Sequence, residues 1–98
     1  MNHNALTKRE LAVDIANTFG LTQTLAADIV QYALNAMTDA LFEERHIEFR
    51  DFGVFEVVTR KARIGRNPNR PQDVVTIPMR KIVKFKPGKR MRDEITNR

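Results

Sequence analysis

The sequence predicts an α+β chain whose strand-rich part is positively charged, on three observations. Apolar side chains in residues 5–45 recur at helical spacing, whereas those in residues 46–86 alternate at the spacing of a strand. The charges divide as well: residues 1–59 hold 4 Lys+Arg against 9 Asp+Glu, and residues 60–98 hold 13 against 3. The resulting net charges, −5 and +10, predict that the strand-rich part presents a positive surface to a polyanion.

The first predicted helix lies between Thr7 and Gly20. Thr7-Lys8-Arg9-Glu10 fits a capping box, with Thr7 as the N-cap and Glu10 three residues later. Gly20 follows the last apolar residue of the helical pattern, where a glycine commonly ends a helix. The apolar positions between these signals are Leu11, Ala12, Ile15, Ala16 and Phe19.

A second helix is predicted from a cap at Thr22 to an end near Glu44. Its apolar side chains form a stripe broad enough to cover both the first helix and a partner chain. The stripe consists of Leu25, Ile29, Ala33, Ala36, Met37, Ala40 and Leu41.

The period changes to that of a strand at His46. Ile47 and Phe49 alternate with charged residues, 51–53 (Asp-Phe-Gly) is typical of a turn, and 54–59 is rich in β-branched and aromatic residues. A third strand is predicted over 74–85, with an irregularity at Pro78.

The segment 60–75 is predicted to form a projecting arm. Its apolar side chains are few, and an isolated two-stranded ribbon is marginal in water, so we expect the arm to be mobile when free and ordered by its ligand. Residues 87–88 (Pro-Gly) end the third strand, and 89–96 is predicted to form a short final helix. The four apolar residues of the arm are Ala62, Ile64, Val74 and Val75.

Length and composition limit the classes of protein to which the chain can belong. Its 98 residues predict one domain, with a helical dimerisation part at about 5–45 and a sheet and arm at about 46–86. A dimer would share a core between two short chains. There is no cysteine, no apolar run long enough to span a membrane and no signal-peptide pattern, so a cytoplasmic protein is the default expectation. The pI near 10.1 suits nucleic acid and, less specifically, anionic membrane surfaces.

Catalytic and metal sites are not predicted. His3 and His46 are the two histidines, and neither has a carboxylate at metal-ligand spacing. The carboxylates of 43–44 and 51 fall at a helix end and a turn, and no nucleophile arrangement or phosphate-binding glycine loop is present. We therefore expect a protein that is not an enzyme and uses no cofactor or metal.

Three motifs at particular spacings resemble the bacterial histone-like DNA-binding proteins, HU and integration host factor. They are Phe-Gly-Val-Phe-Glu-Val at 52–57, Arg-Ile-Gly-Arg-Asn-Pro at 63–68 and Phe-Lys-Pro-Gly-Lys at 85–89. The opening 6–11 (Leu-Thr-Lys-Arg-Glu-Leu) is similar to the start of the family, so the resemblance covers about residues 5–96.

The resemblance implies an intertwined dimer with a helical base, a three-stranded antiparallel sheet as a saddle, and one β-ribbon arm per chain. It implies nucleoid-associated binding to duplex DNA through the minor groove, with bending by an intercalating proline, here Pro68, and little sequence preference. The predicted DNA-binding residues are Lys8, Arg60, Lys61, Arg63, Arg66, Asn67, Pro68, Arg70, Arg80, Lys81, Lys84, Lys86 and Lys89.

Four aromatic residues are interpreted as dimer core rather than as stacking platforms for bases. They are Phe49, Phe52, Phe55 and Phe85, three of which are spaced around a turn. Two positions depart from the family pattern: Asp51 replaces a usual glycine, and 69–71 (Asn-Arg-Pro) replaces a usual x-Thr-Gly after the tip proline. The second change puts the shape of the tip, and hence the bend, in question.

Three alternatives remain open from the sequence. An integration-host-factor-like subunit would pair with a second chain and prefer certain sites, whereas an HU-like chain would form a homodimer. A helix-turn-helix regulator is disfavoured because residues 23–44 hold four acids and no Lys or Arg. An RNA-binding module would use the same basic arm.

Overall fold

The computed structural model describes residues 5–98, apart from the side chain of Asn67. The chain divides into two compact units, Met1–Asp39 and Ala40–Arg98. Helices fall in the first part of the chain and antiparallel strands in the second, followed by a last helix, so the predicted α+β class is confirmed. The finer prediction of a single domain over 1–98 stays a prediction.

Helix α1 spans Lys8–Phe19, and both of its predicted end signals are confirmed. The Glu10 backbone N–H donates to Thr7 Oγ1 at 3.1 Å, which satisfies one of the unpaired amides at the helix start. Gly20 adopts the left-handed conformation with φ +66° and donates its N–H to the Ala16 carbonyl.

Helix α2 spans Gln23–Phe42 and ends two residues before the predicted Glu44. Thr22 caps its start, since its Oγ1 accepts from the Leu25 N–H at 3.1 Å. The chain leaves the helix through Glu44, which has φ +58°, while the Arg45 N–H donates back to the Ala40 carbonyl.

The core of the first unit is small and lies one position away from the predicted stripe. Ala12 and Ala16 of α1 pack with Ala26 and Val30 of α2. By contrast, Leu25 and Ile29 of the predicted stripe are 47% and 46% exposed. A broad apolar surface of α2 is therefore uncovered in the single chain, as a helix that serves two neighbours requires.

Three strands form what we call the body sheet. They are β1 (Ile47–Phe49), β2 (Gly53–Arg60) and β5 (Arg80–Pro87), in the order β1-β2-β5 with every neighbour antiparallel. Ile47 is buried, which anchors β1 to this unit.

Two further strands form a separate ribbon, the arm ribbon. They are β3 (Arg63–Asn67) and β4 (Arg70–Ile77), again antiparallel. The predicted irregularity at Pro78 is confirmed, because residues 78–79 divide the expected third strand into β4 and β5. Helix α3, Lys89–Thr96, lies where the sequence predicted the last helix.

The turn between β1 and β2 needs its glycine. Gly53 has φ +156°, and a Cβ there would lie 2.5 Å from the Lys86 carbonyl oxygen. Asp51 adopts φ +65°, a conformation that Asp tolerates better than most residues. The Phe52 carbonyl accepts from the Gly88 N–H at 2.8 Å, which ties this turn to the start of α3.

Across residues 5–98, no helix combines the length and apolar character that crossing a membrane requires.

Candidate nucleic-acid interface

The body sheet has two chemically different faces. In the β2–β5 register Glu56 lies opposite Lys84, and Arg60 lies opposite Arg80. Because side chains alternate along a strand, these positions share one face, which we call the cationic face. Its further β2–β5 pairs are Val54 with Lys86 and Val58 with Ile82.

The opposite face, the aromatic face, carries the four phenylalanines predicted to be dimer core. The Phe55 and Phe85 ring centroids are 4.7 Å apart, and Phe52 lies 5.6 Å from Phe85 and 6.5 Å from Phe49. The cluster nevertheless keeps considerable exposure in the single chain, 45% at Phe49 and 37% at Phe85. It is incomplete as a core, although its role between two chains stays a prediction.

A groove lies where the body sheet gives way to the arm ribbon. It is bordered by the last residues of β2, the first of β3, the Pro78 break and the first residues of β5. No Asp or Glu is among its described lining residues, whereas half of them are basic. The basic lining residues are Arg60, Lys61, Arg63, Arg80 and Lys84.

Within this groove two arginines face each other directly. Arg60 is the register partner of Arg80, at the last pair of the β2–β5 ladder. Like charges directly opposite one another on a sheet are destabilising. An anion between the two guanidinium groups would relieve that repulsion, so the site is chemically suited to a phosphate.

An ion pair occupies the other end of the cationic face. Lys86 Nζ lies 2.8 Å from Glu56 Oε1, and the Glu56 side chain is 28% exposed. The hydrogen bond from Lys86, together with the charges of Lys86, Lys84 and His46, outweighs the effect of burial and lowers the pKa of the Glu56 carboxyl below its ordinary value. The positive charge of Lys86 is therefore partly neutralised by Glu56.

Lys81 does not join the other predicted sheet cations. It is the register partner of Thr59 and thus belongs to the aromatic face. Its Nζ donates to Glu44 Oε2 at 2.8 Å, just past the end of α2. This placement favours a structural contact for Lys81 over a position beside Lys84, and its DNA role stays a prediction.

The arm ribbon displays cations on both faces. Arg63 pairs with Ile77 and Arg66 with Val74, three residues apart on β3, so the two arginines point to opposite sides. Pro68 is exposed in the turn at the tip, as an inserting residue would need to be. The prediction for Asn67 concerns a side chain outside the described part of the structure.

Two contacts hold the remaining basic residues of the tip. Arg66 Nη1 donates to the Pro71 carbonyl at 3.1 Å, and Arg70 Nε lies 3.6 Å from Asp73 Oδ2. Both arginines are exposed, yet neither extends freely into solvent.

Lys8 and Lys89 are not among the residues that line the groove. Lys8 Nζ donates to Gln31 Oε1 at 2.6 Å, and the Gln31 amide donates in turn to Asn35 Oδ1 at 2.8 Å, all within the first unit. Lys89 is the first residue of α3. Within the second unit, most of the predicted DNA-binding residues thus lie in the groove with the adjoining sheet face or at the arm tip, whereas Lys81 lies on the aromatic face and Lys89 opens α3.

The sequence analysis did not predict the groups that bind the side chains of Lys86 and Arg66. The pairing of Phe55 with Phe85 fixes the hairpin register and places Glu56 opposite Lys84, so Glu56 could have been found by counting from the aromatic pair. The Pro71 carbonyl could not have been found in this way, because its contact with Arg66 depends on an irregularity in strand pairing.

No group of three or more His, Cys, Asp or Glu side chains suited to holding a metal ion occurs within the described residues. His46 lies 3.9 Å from Glu48, an exposed pair at the start of β1.

Comparisons with known proteins match nearly the whole chain. The sequence model of a family described as bacterial DNA-binding protein matches residues 6–96. A probable DNA-binding protein HU of Chlamydia trachomatis is 42% identical over 87 residues, which cover 89% of this chain and 87% of that protein. The beta subunit of integration host factor from Burkholderia mallei is 39% identical over 94 residues, 95% of this chain and 87% of that protein. Among solved structures, Anabaena HU in a cocrystal with DNA is similar with a TM-score of 0.79 at 29% identity, covering 94% of this chain and 99% of that one.

Proposed function

Because the chain belongs to the bacterial DNA-binding protein family, we propose that it is an architectural protein that binds duplex DNA and bends it. The observation that carries the proposal is the acid-free groove in which Arg60 directly opposes Arg80. A row of cations without balancing acids neutralises successive phosphates, and this term is independent of sequence.

The groove and the body sheet are proposed to receive the DNA backbone. Arg60, Lys61, Arg63, Arg80 and Lys84 line the groove, and Lys86 stands further along the cationic face. Such contacts position the duplex without reading its bases, so little sequence preference is expected from them.

The arm tip is proposed to enter the minor groove, with Pro68 as the wedge. HU and integration host factor are themselves established examples of minor-groove proteins that insert an apolar side chain and kink the duplex. Pro68 is suited to this because it is exposed at the tip and its ring needs no hydrogen-bond partner. Arg66 and Arg70 add positive charge beside it, which a narrow minor groove attracts.

A dimer is proposed as the working form. The rings of the aromatic face and the uncovered α2 side chains Leu25 and Ile29 are the surfaces that a second chain would cover. We propose a homodimer. A heterodimeric subunit is the second candidate, favoured by the 39% identity to an integration host factor subunit.

The family's DNA-binding role supports a place on the nucleoid, in the cytoplasm, and a binding rather than catalytic function.

A bending assay tests the proposal. Purified protein is titrated into random-sequence duplex labelled at both ends, and energy transfer is followed at several salt concentrations. We expect the DNA ends to approach each other at low salt and the affinity to fall steeply as salt rises. Binding without any approach of the ends would contradict an architectural role, whereas binding only after a second family chain is added would identify the heterodimer.

Pro68→Ala separates the wedge from the charges. The variant keeps every cation, so we expect an affinity within about threefold of the parent and an unchanged salt dependence, but a smaller bend. Pro87→Ala is the matched control, since it removes a proline from the end of β5, outside the arm ribbon. A bend that Pro68→Ala leaves unchanged would remove the wedge from the mechanism.

A further inference from the structure

The arm ribbon contains an irregularity next to its tip. The ladder pairs Arg66 with Val74, but the next residue of β3, Asn67, pairs with Arg70. Residues 71–73 of β4 therefore have no partner on β3 and form a bulge. This segment includes Pro71, where the chain departs from the pattern of the family it resembles.

A bulge leaves backbone groups to be satisfied in another way. Pro71 has no N–H, and the bulge removes its carbonyl from the ladder. In the structure that carbonyl accepts a hydrogen bond of 3.1 Å from Arg66 Nη1, a residue on the facing strand. The Arg66 side chain thus spans the bulge.

A second side-chain contact closes the same segment from the other end. Arg70 Nε and Asp73 Oδ2 are 3.6 Å apart, so the pair brackets Pro71 and Gln72. Asp73 is the one acid in the sequence between Arg60 and Ile77. This one acid of a basic segment therefore lies where it can fix the bulge.

We infer that Arg66 is a positioning residue, which clasps the 71–73 bulge through the Pro71 carbonyl and thereby holds the turn that presents Pro68. The inference rests on the proposed DNA-bending function. A guanidinium has five N–H donors, so Arg66 can hold the carbonyl with one and direct others at DNA. The clasp sets the direction in which Pro68 points from the ribbon end.

The first test needs no DNA. Amide hydrogen exchange of the full-length protein is measured at Arg70 and Val74, the paired residues on either side of the bulge, for the parent, Arg66→Gln and Arg63→Gln. Both substitutions remove one charge from β3, but Arg63 lies at the base of the ribbon, paired with Ile77. We expect exchange to become about five- to tenfold faster in Arg66→Gln, the loss of one hydrogen bond from a charged donor, and to stay within twofold in Arg63→Gln. Equal exchange in the two variants would overturn the inference.

The second test follows the consequence in the bending assay. Each variant loses one positive charge, so both should lower the salt slope of binding by a similar amount, about 1. The bend in the bound complex should decrease or broaden more in Arg66→Gln than in Arg63→Gln. Arg66→Lys restores the charge, and with it the salt slope, but not the planar fork. A bend restored in Arg66→Lys while amide exchange beside the bulge stays as fast as in Arg66→Gln would assign the effect to charge and overturn the clasp.

The bending assay and the exchange experiment decide the proposed function and the role of Arg66 independently. A parent protein that binds DNA without bending it contradicts the proposed function, and the exchange experiment still decides whether Arg66 holds the bulge.

Discussion

The body sheet and the arm ribbon are built from the same antiparallel ladder but stabilised differently. The body sheet buries Ile47 and places Phe55 and Phe85 in ring contact at 4.7 Å. In the arm ribbon every described residue is exposed or half-exposed, including Ile64 at 71% and Val74 at 55%. The ladder alone does not distinguish them, so the difference lies in the side chains.

This difference assigns stability and DNA contact to different strands. Core packing tolerates few changes, because each buried methylene contributes to the free energy of folding. The ribbon buries almost no apolar side chain, so its surface can be devoted to cations at little expense in stability. Its geometry must then come from local contacts such as those of Arg66 and Asp73.

The largest expected difference comes from truncating one large apolar residue in each of the two sheets. Phe85→Ala should destabilise the protein by about 3 kcal/mol, since it empties a position bounded by the rings of Phe52 and Phe55. Val74→Ala in the arm ribbon should cost at most about 0.5 kcal/mol.

Urea unfolding at one protein concentration measures both losses, because a dimer's apparent stability depends on concentration. Similar losses for Phe85→Ala and Val74→Ala would mean that the ribbon carries packing energy after all.

A glycine in each sheet gives the next largest difference. Gly53→Ala combines φ +156° with a Cβ 2.5 Å from the Lys86 carbonyl oxygen, so we expect a loss of about 2–4 kcal/mol. Gly65→Ala meets only the end of a flexible side chain, Ile77 Cδ1 at 3.1 Å, and should cost less than about 1 kcal/mol. Thermal unfolding followed by circular dichroism compares them, and the reverse order would contradict the structural distinction.

Local signals in the sequence predicted most of the body but little of the tip. Thr7, Gly20 and Thr22 acted as expected, because caps depend on groups within three or four residues. The irregularity at Pro78 was predicted for the same reason, since proline cannot donate to a ladder. The end of α2 was placed two residues too far because the turn at Glu44 uses a non-glycine residue in the left-handed region.

Features that depend on pairing between distant residues were not predicted. The apolar stripe of α2 included Leu25 and Ile29, but the first unit buries Ala26 and Val30 instead, because the smaller side chains allow α1 to approach. Charge counting placed Lys81 with Lys84, although register puts them on opposite faces. Composition shows how many cations a segment holds, but register decides which of them act together.

Substitutions in the groove should weaken DNA binding without lowering stability, whereas substitutions in the body sheet should lower stability. We expect the double variant Arg60→Gln/Arg80→Gln to weaken DNA binding about tenfold near physiological salt and to reduce the salt slope by about 2. Its thermal stability should be unchanged or slightly higher, because the directly opposed charges are removed.

The matched control for the groove is Arg45→Gln/Arg50→Gln, which removes the same charge from exposed positions outside the groove lining. Fluorescence anisotropy across a salt series measures both. An equal fall in the control would mean that net charge, and not the groove, determines affinity.

The smallest effect concerns Glu56, the acid on the cationic face. Its folded-state pKa is lowered chiefly by the hydrogen bond from Lys86, so the ionised carboxylate stabilises the fold at a pH above the ordinary carboxyl pKa, and this stabilisation is lost as the pH falls through the lowered value. Glu56→Gln should therefore have a slightly lower melting temperature than the parent at pH 7, and the difference should disappear as the pH falls through the lowered carboxyl pKa.

Glu48→Gln is the control for Glu56, because Glu48 is exposed and lies 3.9 Å from the exposed His46. Melting curves between pH 3 and pH 7 are recorded for the parent and for both variants. A Glu56→Gln difference that persists at acidic pH would assign the effect to packing of the side chain against β5. A difference that vanishes would mean that the Glu56–Lys86 ion pair is one of the fixed contacts that determine the structure of the body sheet, and not a pair of free charges.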